Sequence, residues 1–189
     1  MPHSTLHTER LILQPITLPI VEAVMAGDRA AAEHHVGAPL PDAWPGSALI
    51  ERAFVASLDA IRADPLRRLW GDRVMITRHG PPRVVGSVVF HGAPDDDGAV
   101  EIAYGVEQAS QSMGYATEAT RACVEWALEQ PGVSAVRATT PPWHTASRRV
   151  LEKVGFVIVG TREHELLGEL LGFERPSTRP IVRERAAAT

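Results

Sequence analysis

One segment of the chain has residue types that suit the binding of an anion: Gln111-Ser112-Met113-Gly114-Tyr115-Ala116-Thr117-Glu118-Ala119. It lies between a predicted strand and a predicted helix, and the start of a helix presents unpaired backbone N–H groups with a partial positive charge. Gly114 lets the backbone approach a phosphate closely, and Ala116 keeps the next helical turn thin. The segment therefore predicts a phosphate-binding loop, although a single glycine is also common in strand-to-helix loops that bind nothing.

Glu101 is a candidate general base near the start of a predicted strand. The strand runs from Val100 to Val106, and alternation places Glu101 on one face with the small residues Ala103 and Gly105. The opposite face carries four larger residues, Val100, Ile102, Tyr104 and Val106. A carboxylate followed by two small residues indicates a recess, where burial would raise the pKa of Glu101 toward a value useful for proton transfer. The alternative is a structural Glu101 held in a salt bridge.

The first part of the chain is predicted to supply a strand and several helices. Arg10–Gln14 predicts a short edge strand that Pro15 ends. Between Ile20 and His35 the apolar pattern is divided by Gly27-Asp28, which indicates two short helices with Asp28 as the cap of the second. The remaining predictions here are a proline-rich loop from Gly37 to Gly46 and a helix that Ser47 can cap and that ends before Pro65.

After Asp72 the apolar period changes from about 3.6 to 2, which indicates strands. A meander of three strands is predicted: Val74–Thr77, Val84–Phe90 and Val100–Val106. The elements that follow are a helix whose buried face runs from Ala116 to Ala127, a strand Ala135–Thr140, a helix from Ser147 to Val154 ended by Gly155, and the strands Phe156–Thr161 and Leu166–Phe173. The pattern predicts one α/β (α+β) domain over residues 1–175 and a flexible tail over residues 176–189.

Three segments resemble the GNAT superfamily of N-acetyltransferases. Gln111–Ala116 resembles the signature Q/R-x-x-G-x-G/A, in which backbone amides hold the pyrophosphate of CoA. Thr117-Glu118-Ala119 is its usual continuation in the branch similar to ribosomal-protein N-terminal acetyltransferases. Thr8–Leu13 is similar to the first strand of that branch, and Ser147–Phe156 is similar to its fourth-helix motif. The resemblance spans about residues 5–175, with the segments in the expected order.

The resemblance implies the GNAT fold, a central, mixed, mostly antiparallel sheet of about seven strands flanked by helices, with acetyl-CoA as cosubstrate and no metal. The cofactor-binding residues that it implies are Tyr104, Val106, Gln111, Ser112, Met113, Gly114, Tyr115, Ala116, Thr117 and His144. His144 replaces the asparagine that usually helps to hold the pantetheine arm, which leaves the detail of that contact open. The first strand ends in Gln14 where the branch usually has arginine.

Acetylation of an amine needs a base and a group that meets the departing thiolate. A free alkylammonium has a pKa near 10, so a base or a water chain must deprotonate it before attack. Glu101 is the leading candidate for this base, with His164 or a water relay as alternatives. The resemblance implies that Ser147 donates a hydrogen bond to the thiolate, although a serine at a helix start also commonly bonds local backbone. Tyr104 and Tyr115 are expected to pack rather than to act as acids, and direct transfer in a ternary complex is the simplest mechanism.

Composition narrows the expected partners. The formal net charge of −4 disfavours a nucleic-acid-binding surface, and the single cysteine, Cys123, allows no internal disulfide and indicates a reducing cytoplasm. No signal peptide, membrane span or metal-ligand spacing is visible. We therefore expect a cytoplasmic monomer or homodimer that acts on a small-molecule amine or on a protein N-terminus.

Two other functions stay open from the sequence alone. The first is a non-catalytic acyl-CoA-binding module on the same fold. The second is a nucleotide-binding domain, which is disfavoured because the chain lacks both the lysine of G-x-x-x-x-G-K-[ST] and the pattern G-x-G-x-x-G. The sequence does not identify the amine.

Overall fold

The computed structural model describes residues 4–42 and 58–178. Its strands are Leu6–His7 (β1), Leu11–Pro15 (β2), Arg73–Thr77 (β3), Val84–Phe90 (β4), Ala99–Val106 (β5), Ala135–Thr140 (β6), Val157–His164 (β7) and Gly168–Pro176 (β8). The helices in the described part of the chain are Leu18–Met25 (α1), Arg29–Val36 (α2), Leu58–Ala63 (α3), Pro65–Arg68 (α4), Tyr115–Glu129 (α5) and Thr145–Val154 (α6). A short 3₁₀ turn, Gln108–Ser110, precedes α5.

The strands form one eight-stranded sheet in the order β1-β2-β3-β4-β5-β6-β8-β7. All neighbouring strands are antiparallel except β5 and β6, which pair in parallel only from Ala99–Glu101 to Ala135–Arg137. Beyond Glu101 the two strands separate, while β5 continues to pair with β4 as far as Val106. The predicted mixed, mostly antiparallel sheet is confirmed, and the parallel pair leaves a gap within it.

The edge of the sheet differs from the prediction. Leu11–Pro15 was expected at the edge, but Leu6–His7 pairs on its outer side, so β1 is the edge strand and the sheet has one strand more than expected. A strand of two residues is too short to show a period, which is why the sequence pattern did not reveal it. Pro15 is tolerated next to β3 because it is the last residue of β2.

Helices cover both faces of the sheet and create two apolar cores. On one face, α5 and α6 pack against a cluster that includes Val100 and Ile102 of β5 and Phe90 of β4. On the other face, α1, α2 and α3 pack against a second cluster that includes Val89 of β4 and touches Ala103. Neighbouring residues of β4 and β5 therefore contribute to opposite cores, as the predicted alternation requires.

The predicted helix ends at Asp28 and Gly155 agree with the structure, whereas α6 begins at Thr145, two residues before the predicted start at Ser147. Asp28 caps α2, since its carboxylate accepts a hydrogen bond from Ala31 N at 3.0 Å, and Gly155 ends α6 in the left-handed conformation with φ 93°. The cap at Ser47, the loop beyond residue 42 and the tail beyond residue 178 lie outside the described residues, so these stay predictions together with the domain boundary. None of the helices in the described part of the chain has the length and apolar character that crossing a membrane requires.

Candidate active site

A cleft of about 500 Å³ opens where β5 and β6 separate. The second half of β5 forms one wall, and the end of β6 with the first turns of α6 forms the other. The loop that follows β5 and the first turn of α5 also line the cleft. The gap in the sheet therefore connects the start of α5 with the start of α6.

The start of α5 has the geometry of an anion site. Gly114 is the N-cap residue with φ 84°, and the first backbone bond of the helix runs from Glu118 N to the carbonyl of Gly114 at 3.1 Å. By helix geometry, the N–H groups of the first turn, from Tyr115 to Thr117, have no partner within the helix. A Cβ atom at position 114 would lie 3.2 Å from Nη2 of Arg10. The residues present therefore fit a phosphate that approaches the backbone at Gly114.

Arg10 holds the loop in this shape. Its Nη1 donates to the carbonyl of Met113 at 2.8 Å, and its Nε donates to Oε2 of Glu118 at 2.7 Å. The guanidinium also lies over the ring of Tyr115, with Cζ 4.9 Å from the ring centroid. On the other side of the loop, Gln111 Nε2 donates to the carbonyl of Val106 at 3.1 Å. The loop is thus fixed by the protein itself rather than left to a ligand to order.

Most of the residues predicted to bind a cofactor line this cleft: Tyr104, Val106, Gln111, Ser112, Gly114, Tyr115, Ala116, Thr117 and His144. The exception is Met113, whose side chain is 50% exposed and is not part of the lining. Lining a cleft is not itself evidence of binding, so the cofactor role of these residues stays a prediction.

Two cations of α6 were not assigned to the site by sequence reasoning. Arg149 and Lys153 both line the cleft and lie one helical turn apart. Their spacing of four residues is visible in the sequence and places both on one face of the helix, but the sequence does not show that this face lines a cleft. Their positions add positive charge to the cleft wall opposite the start of α5.

Tyr104 and Ser147 form a pair in the middle of the cleft. The hydroxyl of Tyr104 donates to the carbonyl of Ser147 at 3.0 Å and lies 3.1 Å from its Oγ. Burial raises the pKa of Tyr104 to about 12, although the hydrogen bond to Ser147 acts in the opposite direction. At neutral pH the phenol therefore keeps its proton and can donate a hydrogen bond. The ring of Tyr104 also packs against the core, as expected.

Glu101 lies on the face of β5 opposite Tyr104, and its ionisation differs from the sequence prediction. The neighbouring His91 lowers the pKa of Glu101 most strongly, and Thr139 and Arg162 act in the same direction, while burial opposes them. Burial acts in the predicted direction, but the expected net rise of this pKa is wrong because the neighbouring groups outweigh it. The carboxylate is linked to the cleft through Thr139, whose hydroxyl lines the cleft and donates to Oε1 of Glu101 at 3.0 Å.

The two histidines considered from the sequence have different surroundings. His144 is the N-cap residue of α6 and lines the cleft, with Nδ1 3.5 Å from the hydroxyl of Thr140. His164 ends β7 and is not part of the cleft lining; its Nδ1 accepts the backbone N–H groups of Leu166 and Leu167. The structure thus gives His164 a role in a turn.

Neither a metal nor a thiol is suggested by the surroundings of the site. In residues 4–42 and 58–178, no group of three or more His, Cys, Asp or Glu side chains could hold a metal ion. Cys123 is completely buried on α5, and burial raises the pKa of its thiol to about 12. A thiol with this pKa is a poor nucleophile at neutral pH.

Comparison with known proteins identifies the family. The family described as the acetyltransferase (GNAT) domain matches residues 10–157 of the chain. An uncharacterized N-acetyltransferase of Bacillus subtilis, YjdG, is 28% identical over 153 residues, which are 81% of this chain and 89% of that protein.

Two solved structures have a similar fold. The ribosomal-protein-S5-alanine acetyltransferase of Vibrio fischeri has a TM-score of 0.63 at 16% identity and covers 94% of this chain and 100% of its own. The Mycobacterium smegmatis protein RimJ, solved in complex with CoA-disulfide, has a TM-score of 0.61 at 18% identity and covers 93% of this chain and 88% of its own.

Proposed function

The chain belongs to the GNAT acetyltransferase family, and we propose that it moves an acetyl group from acetyl-CoA to a primary amine by direct transfer in a ternary complex. The observation that carries the proposal is the cleft between β5 and β6, which combines an anion site at Gly114 with the buried pair Tyr104 and Ser147. An anion site explains the binding of a phosphorylated carrier, and a pair of hydroxyls suits a departing thiolate.

The residues that would hold acetyl-CoA follow from the charges of the cleft. The N–H groups at the start of α5 would bind the pyrophosphate, with Arg149 and Lys153 on the facing helix as further cationic partners. The second half of β5 would bind along the pantetheine arm, since its backbone groups on the side away from β4 have no partner on β6. The cosubstrate supplies the activated acetyl group as a thioester.

Tyr104 and Ser147 are proposed to stabilise the thiolate that departs. A thiol has a pKa of about 8.5, and a phenol whose pKa is about 12 cannot readily transfer its proton to such a thiolate. The hydroxyls therefore act as hydrogen-bond donors whose bonds strengthen as negative charge develops on sulfur. The thiol can regain its proton from solvent after the products separate.

The acceptor is proposed to be the amine of a protein N-terminus or of a small molecule. The Vibrio fischeri enzyme has a similar fold and is named for acetylation of a ribosomal protein, which is the reason to include protein acceptors. Because an identity of 16% supports only the fold, the acceptor must come from experiment. Release of CoA thiol should be followed with acetyl-CoA and a panel of peptides with free N-termini, polyamines and amino sugars.

Ligand binding provides the first test of the proposed function. Acetyl-CoA at about 100 times its Kd should add about 2.7 kcal/mol to the free energy of unfolding, whereas ATP and NAD should add much less. Initial velocities with both substrates varied should give intersecting lines, because a covalent acetyl-enzyme would give parallel ones. Tight binding of acetyl-CoA without transfer to any amine or to water would instead support a binding module.

A further inference from the structure

We propose that His91 is the general base that removes the proton from the acceptor amine, and that Glu101 positions it. The inference rests on the proposed function, since it assigns a residue to that reaction. His91 directly follows β4, and its backbone N–H donates to the carbonyl of Glu101 at 2.9 Å. The two side chains meet as well, because Nδ1 of His91 lies 3.6 Å from Oε2 of Glu101.

The pair is connected to the cleft through Thr139, which lines the cleft and donates to Glu101. Phe90 packs into the core under α5, so His91 has the opposite orientation and shares a face with Glu101. Ala103 and Gly105 follow Glu101 on that face and line the cleft. Two strand rises, about 6.6 Å, separate the Cα atoms of Glu101 and Ala103. Neither His91 nor Glu101 lines the cleft itself, and Ala103 is the nearest lining residue along β5 on their face.

The contacts of Glu101 suit a carboxylate that orients another group. One oxygen accepts the hydroxyl of Thr139 at 3.0 Å and lies 3.7 Å from Nη2 of Arg162. His91 lowers the pKa of Glu101 most, and Thr139 and Arg162 lower it further against the effect of burial, so that the carboxylate is a weak proton acceptor at neutral pH. The second oxygen is directed at His91.

The histidine is better suited to accept a proton than the carboxylate. An ionised carboxylate only accepts hydrogen bonds, so the Nδ1 of His91 that faces it carries the hydrogen and Nε2 keeps its lone pair. The separation of 3.6 Å is longer than a hydrogen bond, which is common for catalytic pairs before substrate binds. His91 is also accessible, since one third of its side chain is exposed.

The proton and electron balance of the step is simple. An N–H bond of the alkylammonium breaks and its proton moves to Nε2 of His91, directly or through one water. The lone pair released on nitrogen forms a bond to the acetyl carbonyl carbon. The electrons of the carbon–sulfur bond then leave with sulfur as a thiolate, and the nitrogen loses a second proton to solvent, so that the amide is neutral. The resulting imidazolium faces the Glu101 carboxylate and returns its proton to solvent.

Other charged groups on this side of the sheet are already paired. Arg137 of β6 contacts Glu174 at 2.9 Å and Asp95 at 3.6 Å, so neither acid is directed at His91. Arg162 of β7 is a further cation on this side, and its contacts are to Thr139 and Glu101. Glu101 is therefore the charged partner that the described residues provide for His91.

The kinetic test compares kcat at saturating substrates over about pH 5–9 for wild type, His91→Ala, His91→Gln, Glu101→Gln and the control His79→Ala. Both His91 variants should lose about 10²-fold or more in kcat. They should also lose the increase of kcat between about pH 5 and 8, the interval in which an unperturbed histidine changes its charge. Added imidazole should restore part of the rate of His91→Ala alone. Glu101→Gln should be slower yet keep the rise, because its base is intact. His79 lies in an exposed turn, so its variant should match wild type.

The opposite pattern would overturn the proposal. If Glu101→Gln loses the pH-dependent rise while His91→Ala keeps it and ignores imidazole, Glu101 is the base. A readout in the free protein is the ¹⁵N chemical shift of the His91 ring, which should report a hydrogen on Nδ1 in wild type and a mixture in Glu101→Gln. If wild type itself transfers no acetyl group, the proposed function fails; if it does and the His91 variants are fully active, only this inference fails.

Discussion

Gly114 is the residue whose replacement tests the anion site most directly. Gly114→Glu should lower the affinity for acetyl-CoA by about 100-fold or more, about 2.7 kcal/mol, because it would bring a negative side chain to the anion site and against Arg10, which holds the loop. The left-handed backbone adds a strain of about 1–2 kcal/mol for any residue with a Cβ. Calorimetric titration with acetyl-CoA and a melting curve measure the two effects separately.

Gly132 provides a matched control for this strain. It has a nearly identical backbone angle, φ 80° against 84°, but nothing lies within 4 Å of the Cβ that a substitution would add. Gly132→Glu should therefore reproduce the loss of stability without the loss of affinity. Equal affinities for the two variants would contradict the anion site.

Tyr104 and Ser147 should act as one unit. Ser147→Ala and Tyr104→Phe are each expected to lower kcat by about 10-fold or more with little change in KM, since the bonds to sulfur strengthen only in the transition state. Because the two hydroxyls contact one another, the double variant should lose much less than the product of the single losses. If KM rises and kcat is unchanged, the pair binds substrate without stabilising the thiolate.

Residues near the site were predicted unevenly from the sequence. The loop around Gly114 could be predicted because a backbone motif depends on local spacing and on glycine, and both can be read directly from the sequence. The contacts of Glu101 could not, because His91 follows β4 while Thr139 and Arg162 come from β6 and β7, and only the folded sheet brings them together. The direction of its pKa shift was wrong for the same reason.

At the level of elements, Glu118 joins the N-terminal strands to α5. Its carboxylate accepts the hydroxyl of Thr8 at 2.6 Å, the backbone N–H of Arg10 at 2.8 Å and Arg10 Nε at 2.7 Å. Glu118→Gln should lower the free energy of unfolding by about 2 kcal/mol, because it removes hydrogen bonds made to a charged group. It should also weaken acetyl-CoA binding, since Arg10 supports the loop at Met113.

The same substitution has a defined pH dependence. Burial alone would raise the pKa of Glu118, but the hydrogen bonds from Thr8 and Arg10 lower it. A lowered pKa stabilises the fold above the ordinary carboxylate value of about 4.3 and is lost as pH falls through the folded value. Urea unfolding at pH 7 and pH 3 should show the difference between wild type and Glu118→Gln shrinking at low pH. Glu125→Gln, an exposed change two turns later on α5, should have little effect at either pH.

Elements with a clear apolar period were predicted well, and short or exposed ones were not. The strands β3 to β6 agree with their predicted positions within one residue, because at least one face of each packs against a core. The strand β7 was expected to end at Thr161 but runs to His164, and every residue of it is exposed. Its pairing with β8, rather than burial, sets its length, and such pairing has no local signature.

At the scale of the whole molecule, one buried acid, Asp72, affects the stability of the fold. Asp72 precedes β3 and is 1% exposed; its Oδ1 accepts the backbone N–H of Phe90 at 2.6 Å. Its Oδ2 has no hydrogen-bond partner among the described residues. Burial raises the pKa of Asp72 well above its ordinary value, although the Phe90 N–H and the charge of Arg73 oppose the shift. The ionised form of this residue therefore weakens the fold.

Asp72→Asn should accordingly leave the free energy of unfolding unchanged at low pH and raise it at higher pH. A raised acid pKa means that the folded state binds more protons than the unfolded state, so the stability of wild type falls as pH rises from about 4 through the folded pKa. Asparagine keeps an oxygen for the Phe90 N–H and cannot ionise, so its curve should lack this decline. The free energy of unfolding by urea, measured from pH 4 to pH 9, should show the variant becoming more stable than wild type as pH rises.

Asp72→Ala should instead lose about 1–3 kcal/mol at every pH, because it leaves the N–H of Phe90 unpaired. If Asp72→Asn is less stable than wild type by a constant amount across this range, the carboxylate is needed as a charged partner of Arg73.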